Sequence, residues 1–233
     1  RRPPRSTPSN SSAASDVYKR QLLNLDFRSL LKEYLQGRWP SGMSEKDKEE
    51  YLDKVSGFIK GALRFFDRLG VTPVSMFEDR EYSSLEVYFM LRRIPGIGPK
   101  KANMIARDFL YASLNIERFA SRYWFDQIKK QHRNFRVTNK ELLDIPVDVQ
   151  VVKVFNRIFG RMRPSGREGW RGEILAHVQD IIAFSKLVFP DFPAKLDELF
   201  WKIGREYCHD NYPKCSSCPL NEICEVGKRK RST

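Results

Sequence analysis

The chain has 233 residues, 41% of them hydrophobic, enough apolar material for one good core or two small ones, which excludes a wholly disordered polymer. Of its net charge of +13, residues 1–21 contribute +4 and residues 225–233 contribute +3, leaving a moderately basic body of +6 over residues 22–224 that suits a polyanionic partner without requiring one. No run approaches the roughly eighteen apolar residues of a membrane span and no charged-then-apolar signal opens the sequence, so a cytoplasmic protein with no membrane partner is expected.

Residues 1–21, rich in Arg, Pro, Ser and Asn, lack apolar periodicity and are expected to be disordered. The run SSAASDVYKRQ also resembles translated sequencing-adapter sequence, so this segment is expected to be non-native and the true N-terminus to be missing. Leu22 to Leu35 reads as a short helix closed by Gly37 and Pro40. Ser44 and Asp47 then cap a long helix in which Tyr51, Val55, Phe58, Ile59, Ala62, Phe65, Phe66 and Leu69 recur at helical spacing, predicting a core-facing stripe that ends at Gly70. Thr72 to Tyr82 is a connector.

Ser83 and Glu86 form a capping box ahead of a helix over Leu85 to Leu91. Next comes IPGIGPKKANMIARDF, Ile94 to Phe109: a Pro-Gly-Ile-Gly turn and a helix opening on Pro99, where a missing N–H costs nothing. Gly96 and Gly98 can adopt backbone angles closed to other residues. The pattern predicts helix, hairpin, helix over residues 85–109, with backbone N–H groups around Gly96 and Gly98 at the positive end of the second helix. That is a seat for phosphate that ignores base identity. The plainer alternative is an αα-hairpin whose glycines only permit close packing.

Leu114 to His132 reads as a helix with Tyr123, Trp124 and Phe125 near its middle and Lys129, Lys130, His132 and Arg133 at its end. Such a basic end suits the helix dipole and a solvated face; beside adjacent aromatics it also has the ingredients of a base or phosphate contact. Pro146-Val147-Asp148-Val149 precedes a helix to Phe159, and Asp148 stands where an N-cap belongs. Arg161 to Arg171 reads as a loop with four arginines, either a solvated turn or a phosphate contact. Gly172 to Phe189 and Pro193 to Tyr207 are amphipathic helices. No strand run is credible and no repeat occurs, so the fold is expected to be all-α.

All four cysteines lie late: Cys208, Cys215, Cys218 and Cys224, spaced C-x6-C-x2-C-x5-C. In a reducing compartment such crowding favours a metal site over two disulfides, and soft thiolates narrow the choice to iron-sulfur or zinc. Zinc ribbons usually show two close pairs, and here only Cys215 and Cys218 form one.

The hairpin, the segment PVDVQV around Asp148 and the cysteine spacing together resemble the helix-hairpin-helix DNA glycosylase superfamily that includes endonuclease III and MutY. The resemblance covers Leu85 to Phe109, Pro146 to Phe159 and Gly204 to Cys224. It departs from the family at Gln150, where His is more usual, and in the forty-seven residues between Lys100 and Asp148, far more than the family's spacing, which marks about 111–145 as an insertion. The family's polar segment before the hairpin, which fills the gap left by a flipped base, is also missing.

The resemblance implies two helical lobes with the active-site cleft between them: a helical barrel carrying the hairpin over 22–145, and an iron-sulfur lobe over 146–224, followed by a basic tail over 225–233. It implies a base-excision enzyme acting as a monomer, in a prokaryotic nucleoid, on double-stranded DNA with a damaged or mismatched base. Lys100 would attack C1′ as a Schiff-base nucleophile with AP-lyase activity, Asp148 would stabilise the charge that develops at the sugar, and Cys208, Cys215, Cys218 and Cys224 would hold a 4Fe-4S cluster. DNA would lie on Gly96, Gly98, Lys101, His209 and Lys214, with Asp210 partly offsetting the last two. A monofunctional glycosylase relying on Asp148, and a non-catalytic DNA-binding protein on the same scaffold, remain the alternatives.

Overall fold

A computed structural model of the chain describes residues 22–39, 42–116, 121–160, 166–209 and 212–231, with backbone alone for 166–176, 230 and 231. The disorder expected of residues 1–21 lies outside these. The described chain is mostly helical, as expected: α1 (Phe27–Leu35), α2 (Glu45–Leu69), α3 (Ser84–Arg92), α4 (Pro99–Ser113), α5 (Arg122–Gln131), α6 (Val149–Ile158), α7 (Gly166–Val188), α8 (Leu196–Glu206) and α9 (Glu225–Arg231). No described helix is long and apolar enough to cross a membrane.

Backbone proximity divides the chain into two compact units, one made of residues up to Glu78 with Arg93–Gly96 and one of Asp79–Arg92 with Ile97 onward. Position 145/146, expected as a boundary, lies inside the second unit.

In the first unit, α1 starts at Phe27 rather than Leu22 because the Asp26 carboxylate accepts the amides of Arg28 and Ser29 at 3.1 and 3.2 Å and so fixes the cap. Ser44 caps α2 as expected, its Oγ accepting the Asp47 N–H at 3.1 Å, and Gly70 ends that helix in the left-handed region at φ 66°. The predicted stripe is covered only in part: Phe65 is buried, whereas Tyr51, Phe58 and Leu69 are exposed, and Leu52 and Ser56 are buried in their place. A nine-residue α1 packed on a 25-residue α2 cannot shield the whole apolar face. Pro95 closes on α2 where Gly61 leaves room; a Cβ there would stand 3.0 Å from the proline Cβ.

In the second unit, Glu86 accepts the Ser83 N–H at 2.8 Å and Ser83 Oγ the Leu85 N–H at 3.3 Å, so the capping box forms and α3 follows it. The expectation of no strand is corrected. Residues Glu81–Ser83 (β1) and Arg136–Thr138 (β2) pair in parallel, Tyr82 opposite Val137. Three residues carry too short an alternation to be read as a strand, and the pairing is fixed by burial of its two central side chains, 1% and 2% exposed. The expected helix over Leu114–His132 is likewise corrected at its start, residues 117–120 lying outside the described ones. Asn115 takes φ 59° after the end of α4, and α5 starts only at Arg122; asparagine tolerates the left-handed region better than most side chains.

Two packed clusters organise this unit. Tyr82, Phe109 and Phe125 each meet the ring of Phe135 at 5.5–5.9 Å between centroids. Farther on, Ile145, Val151, Val152, Phe155, Ile181, Leu196 and Phe200 form a mixed aliphatic and aromatic core of α6, α7, α8 and the residues before α6. The loop expected over Arg161–Arg171 is corrected at its end: α7 begins at Gly166, so Arg167 and Arg171 lie on helical backbone, while Arg161 and Arg163 fall outside the described residues. Gly166 and Gly169 lower helix propensity by only about 1 kcal/mol each, which a continuing helix overrides. Residues 225–231, expected as a tail, form α9, anchored by buried Val226.

Candidate active site and candidate metal centre

The turn between α3 and α4 is built around Gly96, whose φ of 84° is closed to most side chains. Gly98 does not share that role. Its φ of −80° and ψ of 176° are ordinary extended backbone, and nothing lies within 4 Å of where its Cβ would be. The expectation that both glycines use special angles is therefore corrected: the turn needs only one left-handed residue. Gly98 is the N-cap of α4, Pro99 follows at its first position, and no side chain caps the helix. The first-turn amides thus have no capping oxygen from Gly98, and the exposed Lys100 and Lys101 flank them.

Asp148 is the N-cap of α6. One oxygen, Oδ1, accepts the amides of Gln150 and Val151 at 2.8 and 2.9 Å. The other, Oδ2, lies 3.6 Å from Lys100 Nζ, the two side chains being 12% and 47% exposed. The two residues expected to act together, with forty-seven residues between them in sequence, are thus neighbours. The capping and the chemical reading of Asp148 are also compatible, because capping uses one oxygen and leaves the other beside the amine.

The sequence reading missed what stands behind this pair. Lys100, Asn103, Arg107 and Tyr111 recur at helical spacing along one side of α4. The Arg107 guanidinium bonds to Asp197 at the start of α8 and to Asp108 Oδ1 at 3.0 Å. Tyr111 donates to Glu198 Oε2 at 3.2 Å, and Asp108 Oδ2 accepts the Ser121 N–H at 3.0 Å. Burial pushes the Asp197 carboxyl up to about 6 against the attraction of Arg107, and the charge of Asp148 pushes the same way. At Arg107 burial opposes the charge, but Asp197 and Asp108 together outweigh it and hold the guanidinium firmly protonated. Burial also raises the Tyr111 phenol far above its usual range. Asp197 lies ninety residues from Arg107, and nothing in the local pattern of either residue announces the contact.

Cys208, Cys215, Cys218 and Cys224 line one small cavity of about 30 Å³ together with Arg157, Tyr207 and Val226. Among the described residues no three His, Cys, Asp or Glu side chains converge closely enough to hold a single metal ion. Four thiols on one cavity are nonetheless a donor set of the chemical kind that holds either zinc or an iron-sulfur cluster. Buried cations surround it. Arg157 Nη1 donates to Cys208 Sγ at 3.1 Å and to the carbonyls of Cys208 and His209 at 3.2 and 2.9 Å, and Lys153 Nζ donates to the Gly204 carbonyl at 3.0 Å. These positive groups suit several thiolates in one place. Gln150 packs its amide oxygen where a Gly204 Cβ would stand 2.7 Å away.

Of the remaining expected DNA contacts, His209 is half-buried with its carbonyl on Arg157, and Lys214 is exposed with its amide on the Tyr207 carbonyl at 2.8 Å. Asp210 lies outside the described residues. The three adjacent aromatics on α5 diverge: Tyr123 is exposed, Trp124 meets the Phe109 ring at 5.4 Å, and Phe125 is buried, so at most one ring is available to stack on a base. No protein-family model matches the chain, and no curated protein matches it.

Proposed function

We propose that this protein is a DNA N-glycosylase with AP-lyase activity, of the helix-hairpin-helix kind, built on that superfamily's two-lobed helical plan. The observation that carries the reading is the Lys100–Asp148 pair, a primary amine and a carboxylate joined across a long intervening segment, with the carboxylate locked by two backbone amides. An amine and a fixed carboxylate side by side are what base removal through a Schiff base requires. The duplex backbone would rest on the α4 N-terminus, with Lys101 beside it, and the damaged nucleotide would be turned out of the stack.

Lys100, once it has given up a proton, attacks C1′ as the glycosidic bond breaks, and the bonding electrons leave with the base. Asp148 stabilises the positive charge that builds on the sugar. Opening of the sugar ring leaves an iminium between Nζ and C1′, and loss of a C2′ proton expels the 3′ phosphate. A 4Fe-4S cluster held by Cys208, Cys215, Cys218 and Cys224 would serve structure, tying the segment after α8 to α6 and α9.

Borohydride trapping on duplexes carrying an abasic site, oxidised pyrimidines, 8-oxoguanine or mismatches tests the reading. A covalent adduct with the wild-type chain that disappears in Lys100→Ala, with DNA binding retained, is the expected result. Base release without trapping would instead make the enzyme monofunctional through Asp148, and binding without either would leave a non-catalytic scaffold.

A further inference from the structure

From Lys129 to Lys140 the chain holds five Lys or Arg and no Asp or Glu, so these twelve residues supply +5 of the +6 carried by residues 22–224. The rest of that body is close to neutral. Its basic character is concentrated in one arch formed by the last turn of α5, the turn after it, β2 and the following residues.

The arch is fixed in place. Ile128, Phe135 and Val137 are buried beneath it. The Val137 amide donates to Ser113 Oγ at 2.8 Å and the Asn134 amide to Asp79 at 2.6 Å. Strand alternation then turns Arg136 outward, and Lys130, Arg133 and Lys140 are exposed as well. Lys129, Arg133, Asn134 and Arg136 line, with Glu81, an open polar cavity of about 420 Å³. The nearby carboxylates are already engaged: Glu81 accepts from Arg136 and from Thr138, Asp79 from Asn134, and Glu141, which the charge of Lys140 also reaches, from Asn139. Among the described residues no carboxylate forms an ion pair with Lys130, Arg133 or Lys140. Like charges held this closely on a rigid frame repel one another, and a row of phosphates relieves that repulsion.

We infer that the Lys129–Lys140 arch is a second seat for the phosphates of a nucleic-acid duplex, separate from the hairpin and blind to sequence. The inference rests on the proposed DNA substrate and adds to it a footprint. β2 is bonded to Ser113 at the end of α4, thirteen residues from Lys100. At about 1.5 Å per residue that is about 20 Å, or about six base pairs along a duplex. Contact there strengthens binding without touching the reacting sugar.

The test is the salt dependence of binding to an undamaged 20-base-pair duplex, compared between the wild type, the triple variant Lys130→Gln/Arg133→Gln/Lys140→Gln, and a control with the same charge change on α2, Lys46→Gln/Arg64→Gln/Arg68→Gln. Each lost phosphate contact lowers the slope of log K against log salt by about 0.9. The arch variant is expected to lose about 2–3 from the slope and at least tenfold in affinity, with the control close to wild type and the thermal melts of all three alike. Equal losses in both variants would reduce the effect to bulk charge and overturn the proposal. So would an unchanged slope in the arch variant, which would leave an acidic protein as the better partner. If the wild type binds no duplex at all, the proposed function fails first, and that outcome is distinct from either.

Discussion

A Cβ on Gly96 would stand 2.7 Å from Cγ of Phe58, inside the contact distance of any two carbons, and Gly96 is itself at φ 84°. The turn is therefore specified twice at one residue, by backbone angle and by its neighbour on α2. Gly96→Ala is expected to destabilise the fold by about 2–4 kcal/mol, combining the left-handed strain of a non-glycine residue with overpacking. Gly98→Ala, with open space and ordinary angles, is expected to change the urea midpoint very little. Equal losses from the two would contradict the assignment of the turn to Gly96.

Asp148 caps α6, and the role proposed for it at the sugar can be separated from that. Asparagine caps helices about as well as aspartate, so Asp148→Asn is expected to keep the melting temperature within a few degrees while lowering base release at least a hundredfold. Asp148→Ala should show the same loss of activity and in addition about 1 kcal/mol less stability. An active Asn variant would reduce the residue to a cap. The ion pair with Lys100 contributes little to stability in either case, because the lysine is half exposed.

Asp197 sets a pH dependence of stability. Its carboxyl titrates near 6 in the folded chain, above its ordinary value of 3.8, so between those values the native state holds a proton that the unfolded state has released. Stability from this group is therefore present at low pH and falls as pH rises from about 4 to about 6. Asp197→Asn should flatten that portion of a stability profile measured by urea unfolding. Arg107→Leu, which strips buried Asp197 and Asp108 of their shared cation, should cost about 3–5 kcal/mol near neutral pH. A profile unchanged by the Asn substitution would place the titration elsewhere.

Metal analysis of anaerobically purified protein is expected to give close to four iron and four sulfide per chain with broad visible absorption, and Cys215→Ser to lose both together with thermal stability. One zinc per chain and a colourless protein would reverse the assignment.

Much of the site was legible because its signals are local. The caps at Ser44, Ser83 with Glu86, and Asp148 are each written in four consecutive residues, and so is the glycine turn. Lys100 and Asp148 became partners only through resemblance, since nothing in forty-seven intervening residues requires them to meet. Arg107 and Asp197 had no such guide. A buried ion pair between distant helices leaves each member looking like a surface charge in its own sequence window. The strands failed for a related reason: Tyr82 and Val137 pair because both are buried, and three residues do not display a period. Gly98 misled in the opposite way, being a glycine whose conformation any residue adopts.

The segment between α4 and α6 is not an appendage. Phe125, Ile128, Phe135, Val137, Leu143 and Ile145 all come from it, each 7% exposed or less, and Tyr82 and Phe109 pack on its rings. Removing residues 121–145 would therefore not leave an intact second unit. It would lay bare an oily wall along α4 and leave β1 an unpaired edge, inviting the shortened chain to clump.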